Sequence, residues 1–377
     1  MKHQPIDEHD EKSEARMNKY FRALVKADAS DLHLKAGVPP HIRIRGRILP
    51  TDNPALSAEQ VQKLGLALLT PKQKAYFDEH GSIDVAHQLP GSDRFRINIF
   101  RQRGEVSIAA RRVTAEIPDF EKLHLPDVLA EICLQHQGLV LLAGITGSGK
   151  STTIASMLEY INRKRPCHVV TIEDPIEYVY TDKKALVNQR EVGIDVPTFE
   201  AALKYLMRED PDVILIGEMR DRETFQAALQ AAETGHMVFG TVHASTSSQT
   251  IGRILDLFEA ESRDLIRQSL AYNLQAIICQ KLLPSIHPET DRIPAVEVLL
   301  ATPTVRKLIE EGRDSDLPDV IAGGGGQGMK DFNMSLLELI ESEMVEPRVA
   351  YSVSPNPSEL KMRMRGIETS RGGLIGR

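Results

Sequence analysis

Gly138-Leu-Val-Leu-Leu-Ala-Gly144-Ile-Thr-Gly147-Ser-Gly149-Lys150-Ser151-Thr152-Thr153 is the stretch whose reading decides the fold. Residues 139–143 form an apolar run of strand length, and a glycine-rich turn and a helix-compatible stretch follow. From Gly144 to Ser151 the spacing is G-x-x-x-x-G-K-[ST], that of a phosphate-binding loop. Gly144, Gly147 and Gly149 let successive backbone N–H groups converge on one anion, which a Cβ would obstruct. Thr146 and Ser148 complete the candidate binding loop, and the helix that follows adds its positive end. Lys150 is expected to reach the β and γ phosphates and Ser151 to ligate Mg²⁺. The bland alternative is a glycine-rich turn that binds nothing; the strand before it and the helix after it favour the phosphate loop.

Downstream, short apolar runs alternate with helical stretches: strands at 168–172, 212–216 and 237–242, helices at 150–162, 199–208 and 221–233. That alternation predicts a parallel sheet covered by helices, with ligands at the carboxyl ends of its strands. Three of those segments carry acids or histidines. The strand from His168 delivers Glu173, Asp174 and Glu177, where carboxylates can polarise water or hold Mg²⁺ through water. The run Asp212-Val-Ile-Leu-Ile-Gly-Glu218 ends in an acid, and Thr234-Gly-His236 enters a strand that leaves at Thr241-Val-His243. Seven residues of strand separate the histidines by about 20 Å, so they cannot share a metal. A hydrogen-bonding or γ-phosphate-sensing role competes with that of two satisfied strand-end histidines.

Upstream, residues 1–16 are polar and acidic and are expected to be disordered. A short helix over 17–27 precedes alternating strands at 30–37 and 41–49, the second placing Ile42 and Ile44 on one face and Arg43 and Arg45 on the other. A helical segment spans 58–78, and strands at 83–88, 94–101 and 105–112 read as an antiparallel meander closing a small α+β domain. The meander is rich in arginine, Arg94, Arg96 and Arg111 among them; each is either a solvated edge residue or a ligand for an anion. Residues 116–137 are expected to form a linker and helix, 138–353 the phosphate-loop domain with a mainly helical C-terminal part, and 354–377 a flexible tail. Within that part a helical stripe is expected over 259–283, a strand over 292–300, a capped helix from Thr302, a loop at 323–326 and a helix over 334–342.

Net charge of −7, aromatic content of 5% and the absence of Trp argue against nucleic acid as the main partner. Cys133, Cys167 and Cys279 are too few and too scattered for a zinc module and fit a reducing compartment. No apolar run approaches the roughly 18 residues that cross a bilayer, and the N-terminus lacks a signal peptide's apolar core, so a cytoplasmic protein is expected.

Residues 144–153, 171–177, 210–221 and 234–243 resemble the Walker A, Asp box, Walker B and His box of the type II/IV secretion ATPases. Ala29-Ser-Asp-Leu-His-Leu34, Arg94-Phe-Arg-Ile-Asn98 and Leu186-Val-Asn-Gln-Arg-Glu191 narrow the resemblance to the type IV pilus retraction ATPases, the PilT/PilU-like branch. It covers roughly residues 17–345. The resemblance implies a PAS-like N-terminal domain over 17–115, a RecA-like P-loop domain with ATP held between the two, and a homo-hexameric ring. It implies phosphate and Mg²⁺ binding by Lys150, Ser151 and Thr152, with Glu173 in the nucleotide-binding set. Glu218 supports Mg²⁺ and its water, Glu177 is the better candidate for general base, and His236 and His243 form the His box. Arg94, Arg96 and Arg111 fall on the strands whose arginines contact nucleotide in the family, some from a neighbouring subunit; guanidinium groups there stabilise charge spreading in the transition state.

The implied function is ATP-driven pilus retraction at the inner face of the cytoplasmic membrane, with a membrane platform protein and a paralogous ATPase as candidate partners. A secretion or pilus-extension ATPase and an accessory ATP-binding adaptor stand as alternatives. Ile145 replaces a proline usual in the loop, and the retraction branch's Ala-Ile-Arg helix appears as Pro303-Thr-Val-Arg-Lys-Leu-Ile-Glu-Glu-Gly312.

Overall fold

The computed structural model describes residues 8–44, 46–113 and 116–366. They fall into two units: residues up to Glu116 with Ile176–Val179, and Ile117–Pro175 with the chain from Tyr180 onward.

In the first unit, α1 (Glu8–Lys26) leads into β1 (Asp31–Leu34), β2 (His41–Ile44) and β3 (Arg47–Pro50). Helices α2 (Ala58–Leu66) and α3 (Pro71–His80) precede β4 (Ser82–Gln88), β5 (Arg94–Gln102) and β6 (Glu105–Val113). The six strands form one antiparallel sheet in the order β3-β2-β1-β6-β5-β4. Period-two alternation on β5 buries Phe95, Ile97 and Ile99 and leaves Arg94, Arg96 and Asn98 on the other face. Phe21 of α1 stacks on Phe95 with ring centroids 4.1 Å apart and joins one core with Met17 and Leu24.

Several expectations shift here. Residues 8–16, expected to be disordered, belong to α1; residues 1–7 lie outside the described residues. The single strand expected over 41–49 is a hairpin turning at Gly46, whose φ of +79° suits glycine; Arg45 lies outside the described residues. The helix expected over 58–78 is two helices, each begun by its own capping box, Ser57 with Gln60 and Thr70 with Gln73.

The second unit begins with α4 (Val128–Cys133), β7 (Gly138–Ala143), α5 (Lys150–Lys164), β8 (His168–Glu173), β9 (Leu186–Glu191) and α6 (Phe199–Leu206). It continues with β10 (Val213–Ile216), α7 (Arg222–Glu233), β11 (Met237–Val242), α8 (Ser247–Asp256), α9 (Arg263–Asn273), β12 (Leu274–Pro284) and β13 (Arg292–Leu300). Helices α10 (Pro303–Glu310), α11 (Leu317–Gly323), α12 (Phe332–Glu341), α13 (Pro347–Val353) and α14 (Pro357–Met364) complete it. The seven strands lie in the order β13-β12-β7-β11-β10-β8-β9, parallel throughout except that β13 runs against β12.

β7 is buried along its whole length and sends alternate side chains into two cores: Leu139, Leu141 and Ala143 into one, Val140 and Leu142 into the other. Helices therefore cover both faces, as the continuous apolar run requires. α7 and α10 start on side-chain caps, Asp221 accepting from Thr224 N and Thr302 from Val305 N.

The helix expected over 259–283 is α9 followed by β12: Leu274, Ile277 and Ile278 sit in a strand beside β7. The expected loop at 323–326 includes the end of α11 and a single 3₁₀ turn over 325–327. The expected flexible tail from 354 instead forms α14, whose Leu360 is fully buried and whose Arg363 pairs with Asp331, with Nη2 3.0 Å from Oδ2. Residues 367–377 lie outside the described residues. Lys281 of β12 donates to the last carbonyl of α13, Nζ 2.6 Å from Val353 O, and lies over the Phe332 ring.

Candidate active site

The phosphate loop joins β7 to α5, at the carboxyl edge of the sheet. Its glycines are needed for space. A Cβ on Gly144 would lie 2.3 Å from Ser148 Oγ and 2.7 Å from Gln280 O, and one on Gly149 2.6 Å from Gln280 Nε2. Gly147 and Gly149 have φ of +78° and +89°, a region that side chains with a Cβ avoid. Lys150 is buried, and its ammonium donates to the carbonyls of Gly144 (2.7 Å) and Ile145 (3.1 Å). Ser148 Oγ is buried without a hydrogen-bond partner among the described residues. A buried hydroxyl with no partner, an ammonium at the loop and a cradle that a methyl group would fill are the requirements of a phosphate site.

At the carboxyl ends of the neighbouring strands stand Glu218, just past β10, and His243, just past β11. His243 Nε2 lies 2.9 Å from Glu218 Oε1, and Arg220 also pairs with that carboxylate. Burial pushes the Glu218 carboxyl up, but Arg220 and His243 outweigh it and hold the group below its ordinary value, so it is an anion at neutral pH. Glu173 ends β8, buried, accepting from Thr171 Oγ1 at 2.6 Å and Gln189 Nε2 at 3.1 Å. Gly217 N donates to Ile172 O at 2.8 Å, which ties the approach to Glu218 to the strand that carries Glu173.

His236 departs from expectation. It precedes β11, whose first residue, Met237, pairs with Gly138 at the start of β7, so it stands at the amino edge of the sheet, about 20 Å from the loop. Its Nδ1 lies 2.9 Å from Ala231 O and 3.2 Å from Thr234 Oγ1. The ring thus closes the end of α7 and does not line the phosphate loop of its own chain.

Ser151 and Thr152 begin α5 beside Lys150. Magnesium at phosphate sites takes most of its ligands from phosphate and water, so one hydroxyl and one nearby carboxylate suffice; Ser151 and Glu218 are of that kind. Arg94, Arg96 and Arg111 lie on β5 and β6 of the first unit, Arg96 directly opposite Arg111. Glu177 belongs to the segment Ile176–Val179, which groups with that unit.

Two contributors escaped sequence reasoning. Gln280 of β12 is buried and accepts from Thr153 Oγ1 at 2.8 Å, while its carboxamide packs against Gly149, so it buttresses the loop. Its only sequence signal is a polar residue interrupting the apolar run 276–279. Arg220, two residues beyond Glu218, reads as a surface charge until its pairing is seen.

A parallel sheet covered on both faces, with a lysine-bearing glycine loop at the carboxyl end of a central strand, defines a RecA-like P-loop ATPase. The chain belongs to the type II/IV secretion system protein family, whose model matches residues 92–317. It is 42% identical to the type IV pilus retraction ATPase PilT of Pseudomonas aeruginosa over 320 residues, 85% of this chain and 92% of that one. It is 38% identical to the type IV pilus ATPase PilU of the same organism over 348 residues, 92% of this chain and 91% of that one. The crystal structure of the pilus retraction motor PilT with bound ADP superposes with a TM-score of 0.84 at 44% identity, covering 91% of this chain and 98% of that one. Among the described residues no helix is long and apolar enough to cross a membrane.

Proposed function

We propose that this chain hydrolyses ATP and that its turnover powers type IV pilus retraction, working as a homo-hexamer in the cytoplasm against a platform protein of the inner membrane. The observation that carries the reading is the pairing of an intact phosphate loop with Glu218 and His243 at one sheet edge, in a chain of this family. The loop amides and Lys150 bind the β and γ phosphates, with Thr146, Ser148 and Thr152 beside them. Ser151 and Glu218 would hold Mg²⁺, which when bound neutralises phosphate charge. Glu177 accepts a proton from the attacking water as the bond from γ-phosphorus to the bridging oxygen breaks. Arg94, Arg96 and Arg111 donate to the γ-phosphate oxygens, and some of these arginines come from a neighbouring copy. His243 holds Glu218 in place.

The test is Glu218→Gln. The variant is expected to bind a fluorescent ATP analogue as the wild type does while steady-state turnover falls at least about 100-fold, the scale of lost transition-state electrostatics. Wild-type turnover would remove Glu218 from the site. A second reading, in which the chain supports another retraction motor, draws on the match to PilU, which extends over 348 residues against 320 for PilT. ATPase activity of the chain alone, without any second ATPase, favours the first reading.

A further inference from the structure

Across the sheet of the first unit, one row of paired residues runs Arg43, Asp31, Arg111, Arg96 over β2, β1, β6 and β5. Two of the three guanidinium groups, those of Arg43 and Arg111, share one carboxylate, that of Asp31. Asp31 is 6% exposed, whereas the Arg111 side chain is 66% exposed. Asp31 Oδ1 accepts from Arg111 Nε at 2.8 Å, and Oδ2 accepts from Ser30 Oγ at 2.8 Å with Arg43 Nε at 3.4 Å. Burial pushes this carboxyl up, but Arg111, Ser30 and Arg43 more than offset that and hold it ionised.

The mode of contact matters more than its existence. Arg111 is gripped through its inner nitrogen, and its two terminal amino groups make no hydrogen bond among the described residues. Arg96 stands directly across the strand pair, its guanidinium also without a hydrogen bond among them. Like charges on facing residues repel, so the row tolerates this arrangement because Asp31 offsets part of the charge. An arginine fixed at Nε with its outer pair unengaged offers a preformed fork to phosphate oxygens.

We propose that Asp31 is a positioning residue for hydrolysis: it fixes Arg111 through Nε so that the terminal amino groups of Arg111, beside Arg96, meet the phosphate of the nucleotide already oriented. This rests on the assignment of Arg96 and Arg111 as phosphate donors made above. Asp31 itself touches no substrate. A purely structural Asp31 would change melting temperature without making the loss of turnover depend on Arg111.

The experiment is a double-mutant cycle on the full chain, with Asp31→Ala, Arg111→Ala and the double variant read by kcat, KM for ATP and melting temperature. Asp31→Ala is expected to lower kcat up to about 100-fold, the scale of a misplaced catalytic group, with KM little changed. In the Arg111→Ala background the same substitution is expected to add no further loss. Asp31→Asn, which keeps an acceptor for Arg111 Nε, is expected to recover part of kcat. It also replaces Asp31→Ala in the cycle should that variant fail to fold. Equal losses in both backgrounds, or wild-type kcat in Asp31→Ala, overturn the positioning role and leave the ATPase reading intact. Wild-type kcat in Arg111→Ala overturns the arginine assignment itself, a distinct result that takes the Asp31 role with it.

Discussion

Gly144 has no room for a methyl group, because Ser148 Oγ and Gln280 O occupy the place where it would go. Forcing one in shifts the loop at a cost of about 1–3 kcal/mol. Gly144→Ala is therefore expected to weaken nucleotide binding at least about tenfold, measured by titration with a fluorescent analogue, with an unchanged far-ultraviolet circular dichroism spectrum. At this scale the sequence was informative wherever the chemistry is local. Glycines, lysine and hydroxyls are consecutive in the phosphate loop, so spacing alone displays them. His236 and His243 show the limit: both flank one strand, and only strand direction tells which end faces the loop. Pairing of Met237 with Gly138 puts His236 at the edge away from the phosphate loop of its own chain and leaves His243 beside Glu218. Gln280 was hidden because its partner Thr153 is 127 positions away.

Elements were legible in proportion to their periodicity. The strands β7, β10 and β11 are short apolar runs bounded by glycine or charge, and they fall where alternation places them. β12 reads as helix in the sequence because a strand buried on both faces has no alternation to show, and Leu274, Ile277 and Ile278 also fit helical spacing. α14 is not legible in the sequence because its amphipathic signal is weak and its polar partners, Asp331 and Asn333, are distant in sequence.

α5 carries its own test of electrostatic anchoring. Glu159 accepts from Arg163 Nε at 2.7 Å and Asn162 Nδ2 at 3.0 Å and pairs with Lys183. Burial pushes its carboxyl up, but Lys183, Arg163 and Asn162 outweigh burial and leave it below its ordinary value. A carboxyl lowered in the folded state contributes stability that is fully present above its unfolded value, about 4.3, and is lost as pH falls through the folded value. Glu159→Gln should therefore cost about 1–2 kcal/mol at pH 7, discounted because Arg163 and Lys183 are partly solvated. In urea melts that difference is expected to persist at pH 5.5 and to shrink towards zero near pH 3. A constant difference across that range would mean that packing, not charge, is what the substitution removes.

For the whole molecule the decisive proposal is that active sites draw groups from more than one copy. Subunits carrying Lys150→Ala and subunits carrying Arg94→Ala, each inactive alone, are expected to regain ATPase activity when mixed, because some sites then receive an intact loop and an intact arginine. Light scattering should give six copies per particle in the presence of nucleotide. The sequence revealed the arginine-rich meander but not the order in the row, since Asp31 and Arg111 are 80 positions apart and meet only through the pairing of β1 with β6.

Gln280 and Lys281 are neighbours on β12 and so point to opposite sides of the sheet: one holds Thr153 on the helix behind the phosphates, the other holds the last carbonyl of α13. A strand clamped from both sides by adjacent residues behaves as a splint. Any small tilt of α5 as phosphate arrives or departs is thereby handed to the far surface of the domain, where slower amide exchange in α13 upon nucleotide addition would register it.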